Sequence, residues 1–262
     1  MQVITYTSAA ILGIVEGATE YLPISSTFHL IWASKILGLG QSDFQKAFEV
    51  IIQGGAILAV VFLYLPLWRK KAVLFPKIIC SFIPTAVIGL LLYKIIKGFF
   101  FENFALQLAV FALIGAGFIF FENFHKPKLT RQSSELSFRE ALLVGLIQAL
   151  AVVPGVSRAG AVILGLMFLK VKRDDAAEYS FLLAVPTLLA ASGLDLVKSA
   201  PYLLQNTSEI GILAVGFIAA FASALVAVKW LISYLKNHNL TSFGFYRIII
   251  AFFLLAIFSS SI

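Results

Sequence analysis

The stretch Glu16-Gly17-Ala18-Thr19-Glu20-Tyr21-Leu22-Pro23-Ile24-Ser25-Ser26-Thr27-Phe28-His29 interrupts apolar sequence with two carboxylates, a proline, three hydroxyls and a histidine. The flanking apolar runs, residues 4–15 and 28–39, are both shorter than the ~20 residues that a helix needs to cross a bilayer. Proline ends one helix and the hydroxyls can open the next, so the stretch reads as the tip of a re-entrant helical hairpin. A second pair of short runs, 141–153 and 162–169, brackets Pro154-Gly155-Val156-Ser157-Arg158-Ala159-Gly160 and reads the same way.

Working outward from these tips, longer apolar runs occupy residues 48–67, 77–96, 104–121, 179–196, 210–228 and 243–262, and each is long enough to cross. Sliding the chain by about 132 residues sets Leu12-Gly13-Ile14-Val15-Glu16 over Val144-Gly145-Leu146-Ile147-Gln148, Ser25 over Ser157 and Asp43 over Asp175. Pro23 and Pro154 fall one position out of register. Each half is then a hairpin followed by three crossings, and an odd number of crossings inverts the second half. The expected fold is an all-α polytopic membrane protein. Its single membrane domain, 1–262, contains inverted pseudo-repeats at about 1–122 and 138–262, with a site near the midplane at the repeat interface.

Composition agrees with this class. Of 262 residues, 60% are hydrophobic and 13% charged, and the mean hydropathy is +0.97, more apolar surface than a soluble core of this size can bury. The formal charge of +7 is a topology signal and not a nucleic-acid footprint, because the basic residues fall in short loops. Arg69, Lys70, Lys71, Lys77, Lys126, Lys128, Arg131, Arg139, Lys170, Lys172, Arg173, Lys229 and Lys236 all fall on one side, which should be cytoplasmic. The other side keeps Lys35, Lys46, Lys94, Lys97 and Lys198, placing both termini and the mouth of the first hairpin outside. Met1 to Ser8 lacks the basic region of a cleaved signal. The single Cys80 can form no internal disulfide.

Ionisable groups at membrane depth are functional candidates. Glu16 and Glu20 stand four apart and share a helix face, where like charges need a cation, a proton or an arginine; two oxygen ligands suggest Mg²⁺ or Ca²⁺. A solvated helix end is the plainer alternative. Ser25, Ser26 and Thr27 after Pro23 can leave hydroxyls and free N–H groups at the tip, or serve only as a helix cap. His29 lies one turn beyond Ser26, within reach of that hydroxyl or of a phosphate, and is otherwise a satisfied core group. In the second tip, Gly155 allows close backbone approach, Ser157 starts a helix and Arg158 lies between apolar runs, a pattern that suits a phosphate clamp. A salt bridge from Arg158 to Glu16 or Glu20 is the structural alternative. Glu49, Gln53, Gln148, Glu178 and Asp195 are expected to make helix-packing hydrogen bonds.

These residues resemble the undecaprenyl-diphosphatase family of bacterial membrane proteins, also known for bacitracin resistance. The resemblance covers essentially the whole chain. It rests on Glu16-Gly-x-Thr-Glu20-x-Leu-Pro-x-Ser-Ser-Thr-x-His29, on Phe48-Glu49-Val-Ile-Ile-Gln53 with Ile57-Leu-Ala-Val-Val, on Pro154-Gly-x-Ser157-Arg158 and on Phe181-Leu-Leu-Ala-Val-Pro186. It implies cation-dependent hydrolysis of undecaprenyl diphosphate to the monophosphate and phosphate, in the bacterial inner membrane, at a site open to the periplasm. By position, Glu16 and Glu20 would hold the metal or position water. Ser26 would be a candidate nucleophile, His29 its acid or base, and Ser157 with Arg158 the diphosphate clamp, with Ser25, Thr27 and Gly155 as further substrate-binding positions. The expected partners are the lipid bilayer and the polyprenyl diphosphate, with no nucleic acid; a homodimer is left open.

Three positions depart from the family pattern, Phe28 for Gly, Ala159 for Ser and Val162 for Thr, and each removes polarity or space. Phe28 is expected to narrow the mouth. A polyprenyl-phosphate transporter with weakened chemistry is therefore the alternative function, since inverted repeats with broken helices also build transporters.

Overall fold

A computed structural model describes residues 3–40, 42–67, 72–100, 103–125, 128–206 and 208–258. Arg69, Lys70, Lys71 and Lys126 of the topology count lie outside the described residues, as do the side chains of Asp43, Lys94, Lys97 and Asp195. In chain order the α-helices are α1 (Tyr6–Thr19), α2 (Ser26–Ile36), α3 (Asp43–Tyr64), α4 (Phe75–Phe100), α5 (Phe104–Phe120), α6 (Phe138–Ala149), α7 (Arg158–Phe168), α8 (Arg173–Gln205), α9 (Ser208–Asn237) and α10 (Thr241–Phe258). Among the described residues the extended pairing is limited to an isolated bridge between Arg131 and Val171.

Five helical stretches, Phe44–Tyr64, Ala72–Leu92, Phe104–Phe124, Arg173–Leu194 and Glu209–Asn237, are long and apolar enough to cross a bilayer. The sixth expected crossing meets α10, whose described apolar part, Thr241–Ile257, is shorter; residues 259–262 lie outside the described chain. Both expected hairpins are present as helix, break and helix: α1–α2 and α6–α7. Helix order also recurs at the expected spacing. α1 and α6 start at Tyr6 and Phe138, and α2 and α7 at Ser26 and Arg158, each pair 132 residues apart.

Local chemistry sets where these helices begin. Thr5 caps α1 in a capping box with Ser8, Ser42 accepts from the Gln45 N–H at the start of α3, and Asn103 accepts from Leu106 at the start of α5. Ser137 forms a capping box with Glu140 at the start of α6. There Arg131 grips the Glu140 carboxylate at 2.7 Å, and this hydrogen bond holds the carboxyl well below its ordinary value, at about 2.

The chain forms two compact units. The first comprises Met1–Leu22, Ser26–Ala72 and Phe181–Trp230. Its core gathers Leu12, Leu30, Phe44, Phe48, Ile52 and Ala220. α1 approaches α9 so closely that a Cβ on Gly13 would lie 2.2 Å from the Gly216 carbonyl oxygen. Ser34 Oγ of α2 donates to Glu49 Oε1 of α3 at 2.9 Å and accepts from Gln45 Nε2 at 2.9 Å, so Glu49 makes the packing bond expected of it.

The second unit comprises Pro23–Ser25, Val73–Ser180 and Leu231–Ile262. α4 and α6 pack with equal intimacy, a Cβ on Gly145 falling 2.1 Å from the Ser81 carbonyl oxygen. Buried hydroxyls add directed bonds: Ser81 Oγ donates to the Ala141 carbonyl at 2.7 Å and Thr85 Oγ1 to that of Gly145 at 2.8 Å. Gln148 Nε2 in turn donates to Thr85 Oγ1 at 2.8 Å, its expected helix-packing role. α5 and α10 cross where Gly115 and Gly244 face each other's carbonyls, at 2.8 and 2.6 Å from the positions their Cβ atoms would take. Small residues at such crossings let backbones close in where apolar solvent gives little drive for association.

Candidate active site

In the first unit, α1 runs four residues past its apolar stretch and carries Glu16 inside the helix and Glu20 at its C-cap. The Glu20 N–H donates to the Glu16 carbonyl at 2.9 Å, so the two side chains sit one turn apart on one face. Glu16 is wholly inaccessible and Glu20 is buried at 6% exposure, which rules out a solvated helix end. Ser26 opens α2 and is also buried, and its hydroxyl donates to Glu20 Oε2. A carboxylate accepting from a serine hydroxyl is the geometry of a base beside a nucleophile.

The turn between α1 and α2 brings Glu20 to the Ser26 hydroxyl, a partner that the spacing of Ser26 and His29 along the chain does not suggest. His29 and Thr27 lie on α2, each half-buried. Tyr21, next to Glu20, donates from its hydroxyl to the Ala56 carbonyl at 3.1 Å and meets the Phe181 ring edge-on at 5.2 Å, anchoring the turn to α3 and α8. Phe28 is buried at 1% exposure, with the His29 ring edge-on at 5.7 Å and Trp32 at 6.2 Å, so it packs inside α2's surroundings and is not an open rim.

In the second unit, both tips turn through a left-handed residue. Ser25 has φ 68° and Gly155 φ 97°. A side chain is disfavoured at both, and at Gly155 a Cβ would also press on the Gln107 carbonyl oxygen at 3.1 Å, so glycine is required there on two counts. Ser25 carries that conformation as a non-glycine residue, a form of backbone strain that concentrates at functional turns. Ser157 is the N-cap of α7, accepting from the Gly160 N–H at 3.1 Å, and Arg158 begins the helix with Nη1 donating to the Ser180 carbonyl at 3.1 Å. Ala159 and Val162, the two apolar departures of this segment, are fully buried in α7.

One residue of this unit has no place in the sequence reading. Arg247 of α10 is 0% exposed, and it donates from Nε to the Phe111 carbonyl at 2.9 Å, from Nη1 to the Pro23 carbonyl at 3.2 Å and from Nη2 to the Gly155 carbonyl. The signal that could have found it is an arginine inside residues 243–262, a run apolar enough to cross.

Among the described residues, no group of three or more His, Cys, Asp and Glu side chains is placed to hold a metal ion. The donor set here is the carboxylate pair Glu16 and Glu20. Both are hard oxygen donors, the ligand type that Mg²⁺ and Ca²⁺ take.

Comparison with known proteins finds likeness over nearly the whole chain. The family model described as Bacitracin resistance protein BacA matches residues 9–253. A protein named undecaprenyl-diphosphatase from Aquifex aeolicus is 47% identical over 253 residues, covering 94% of this chain and 98% of its own. One of the same name from Sulfurihydrogenibium is 47% identical over 248 residues, covering 94% and 96%, and one from Campylobacter jejuni is 41% identical over 259 residues, covering 97% and 95%.

Proposed function

Because the chain belongs to the bacitracin resistance protein BacA family, we propose that it hydrolyses undecaprenyl diphosphate to undecaprenyl phosphate and inorganic phosphate. The observation that carries the chemistry is the buried Ser26 hydroxyl donating to Glu20. Ser26 Oγ attacks the terminal phosphorus as its proton passes to Glu20, and the bond from phosphorus to the bridging oxygen breaks to release the lipid monophosphate. Water then cleaves the phosphoserine, and the proton returns to Ser26 as phosphate leaves. A divalent cation, Mg²⁺ or Ca²⁺, held by Glu16 and Glu20, would neutralise charge on the diphosphate. Arg158, with Ser157 at the start of α7, is the diphosphate clamp that the resemblance implies, a guanidinium being suited to paired phosphate oxygens. His29, one turn from Ser26, donates to the leaving oxygen or takes a proton from the attacking water. Ser25, Thr27 and Gly155 bind substrate from the turns.

The site opens to the periplasmic side of a bacterial plasma membrane, a reading supported by the lysines and arginines that cluster in the loops assigned to the cytoplasm. The two halves are inverted repeats, supported by the 132-residue spacing of the hairpin helices and by the matched contacts of Gly13 and Gly145 and of Gly115 and Gly244. The transport alternative is not favoured, because relatives at 41–47% identity bear the name of a hydrolase. The test is phosphate release from undecaprenyl diphosphate by detergent-purified protein, with Mg²⁺ or Ca²⁺ and with a chelator. Cation-dependent release is expected; a folded protein that releases none contradicts the proposal.

A further inference from the structure

We propose that Arg247 is a positioning residue, which holds the two hairpin-tip turns in register by binding the backbone carbonyls of Pro23 and Gly155 with one guanidinium. Arginine's planar fork presents donors in fixed directions, and here three of them reach three different carbonyls: Phe111, Pro23 and Gly155. The cation also lies over the Phe111 ring at 4.3 Å and the Phe118 ring at 5.6 Å, so α5 contributes both a carbonyl and two aromatic faces to it. The cost of burying this charge is offset by three hydrogen bonds to backbone carbonyls and by the two ring faces.

The fold brings Arg247 to this place by a specific route. The crossing of α5 and α10 at Gly115 and Gly244 is close enough that a Cβ on Gly115 would lie 2.9 Å from the Arg247 Cβ. From there the side chain extends past Phe111 and Phe118. On the far side of Phe118, Gly160 of α7 leaves room for that ring and for Pro23, at 2.6 and 3.4 Å from where its own Cβ would be.

The two carbonyls it binds are not ordinary ones. Pro23 is followed by Ile24 and the left-handed Ser25, which leads straight into Ser26; Gly155 is itself left-handed and leads through Val156 to the N-cap Ser157 and Arg158. The second turn is closed from within by the Val156 N–H donating to the Val153 carbonyl at 3.1 Å, and Arg247 adds a donor to a carbonyl of each turn, bearing on where the following helix starts. Arg247 thus acts on the hydroxyls and the clamp through backbone, without touching the reacting atoms. Its activity consequence rests on the diphosphatase reading; its consequence for the turns does not.

The experiment uses purified Arg247→Lys and Arg247→Ala beside wild type and Glu20→Gln, with two readouts. Hydrogen exchange followed by mass spectrometry reports on peptides spanning residues 20–27 and 153–160. Steady-state phosphate release from undecaprenyl diphosphate reports kcat and KM. Lysine keeps the charge but cannot span three carbonyls, so exchange in both peptides should rise at least about tenfold while the rest of the chain keeps its protection. The kcat should fall about 100-fold, the scale of a small misplacement of reacting groups, with KM changed less than about threefold because the lipid tail supplies most of the binding. Guanidinium chloride at tens of millimolar should restore at least tenfold of the lost kcat in Arg247→Ala and none in Glu20→Gln. Unchanged exchange at the tips in a folded Arg247→Lys overturns the proposal whatever the activity shows. So does a wild-type kcat in that variant. Faster exchange at both tips in a preparation whose wild type releases no phosphate would uphold the positioning role and reject the diphosphatase reading.

Discussion

Ser26 and Glu20 are buried and bonded to each other, so a change to either should alter chemistry more than folding. Glu20→Gln keeps the shape and an acceptor oxygen yet removes the base, and kcat should fall about 10²–10⁴-fold, measured as phosphate release with the melting temperature as control. An equal loss of melting temperature and activity would make the pair structural. At this scale the sequence shows where an ionisable group interrupts an apolar run: Glu16, Glu20, His29 and Arg158 stand out because such groups are expensive in a membrane, and Ser26 stands out by its place after Pro23. It failed where the partner is backbone. Arg247 reads as one more basic residue near the end of the chain until the carbonyls of Phe111, Pro23 and Gly155 are seen around it. The Ser26 bond was missed for a related reason, since spacing along α2 favoured His29 and only the turn brings Glu20 to the hydroxyl.

Helices here are joined by close backbone contact and a few directed bonds. Gly145→Ala should drive its Cβ into the Ser81 carbonyl and push α4 from α6, breaking the Thr85 and Gln148 bonds as well. The expected destabilisation is about 1–3 kcal/mol or more, read as a lower melting temperature in detergent, with Gly117→Ala, which meets nothing nearby, as the neutral control. At the loop end of α6, Glu140 titrates at about 2 because of Arg131, against an ordinary value of 4.5. A lowered folded-state value adds stability that is complete above about 4.5 and is lost as pH falls toward 2. The melting-temperature gap between wild type and Glu140→Gln should therefore narrow between pH 6 and pH 3, and parallel curves would show that the pair contributes nothing. Helix existence and order were legible from run length and the two proline-containing breaks. Helix ends were less so: α1 continues through Glu16 to Thr19 because burial, and not polarity, decides where it stops.

For the whole chain, the testable quantity is its orientation in the membrane. In a Cys80→Ser background, Ile36→Cys at the end of α2 and Gln132→Cys in the loop before α6 are both exposed positions. An impermeant maleimide added to intact cells should label the first and spare the second; the reverse pattern would place the hairpin mouth on the cytoplasmic side. The recurrence of helices at the 132-residue spacing was readable because glycines and breaks recur with it, whereas the contacts that each hairpin makes with a helix from the other half left no mark in the sequence.

The decisive assay incubates the purified protein with undecaprenyl diphosphate and a divalent cation and measures both products. One phosphate should be released for each undecaprenyl phosphate formed, with both lost in Glu20→Gln and Arg158→Ala variants that remain folded. Intact lipid after prolonged incubation with a folded, cation-loaded wild type, or equal turnover by the two variants, would contradict the diphosphatase reading.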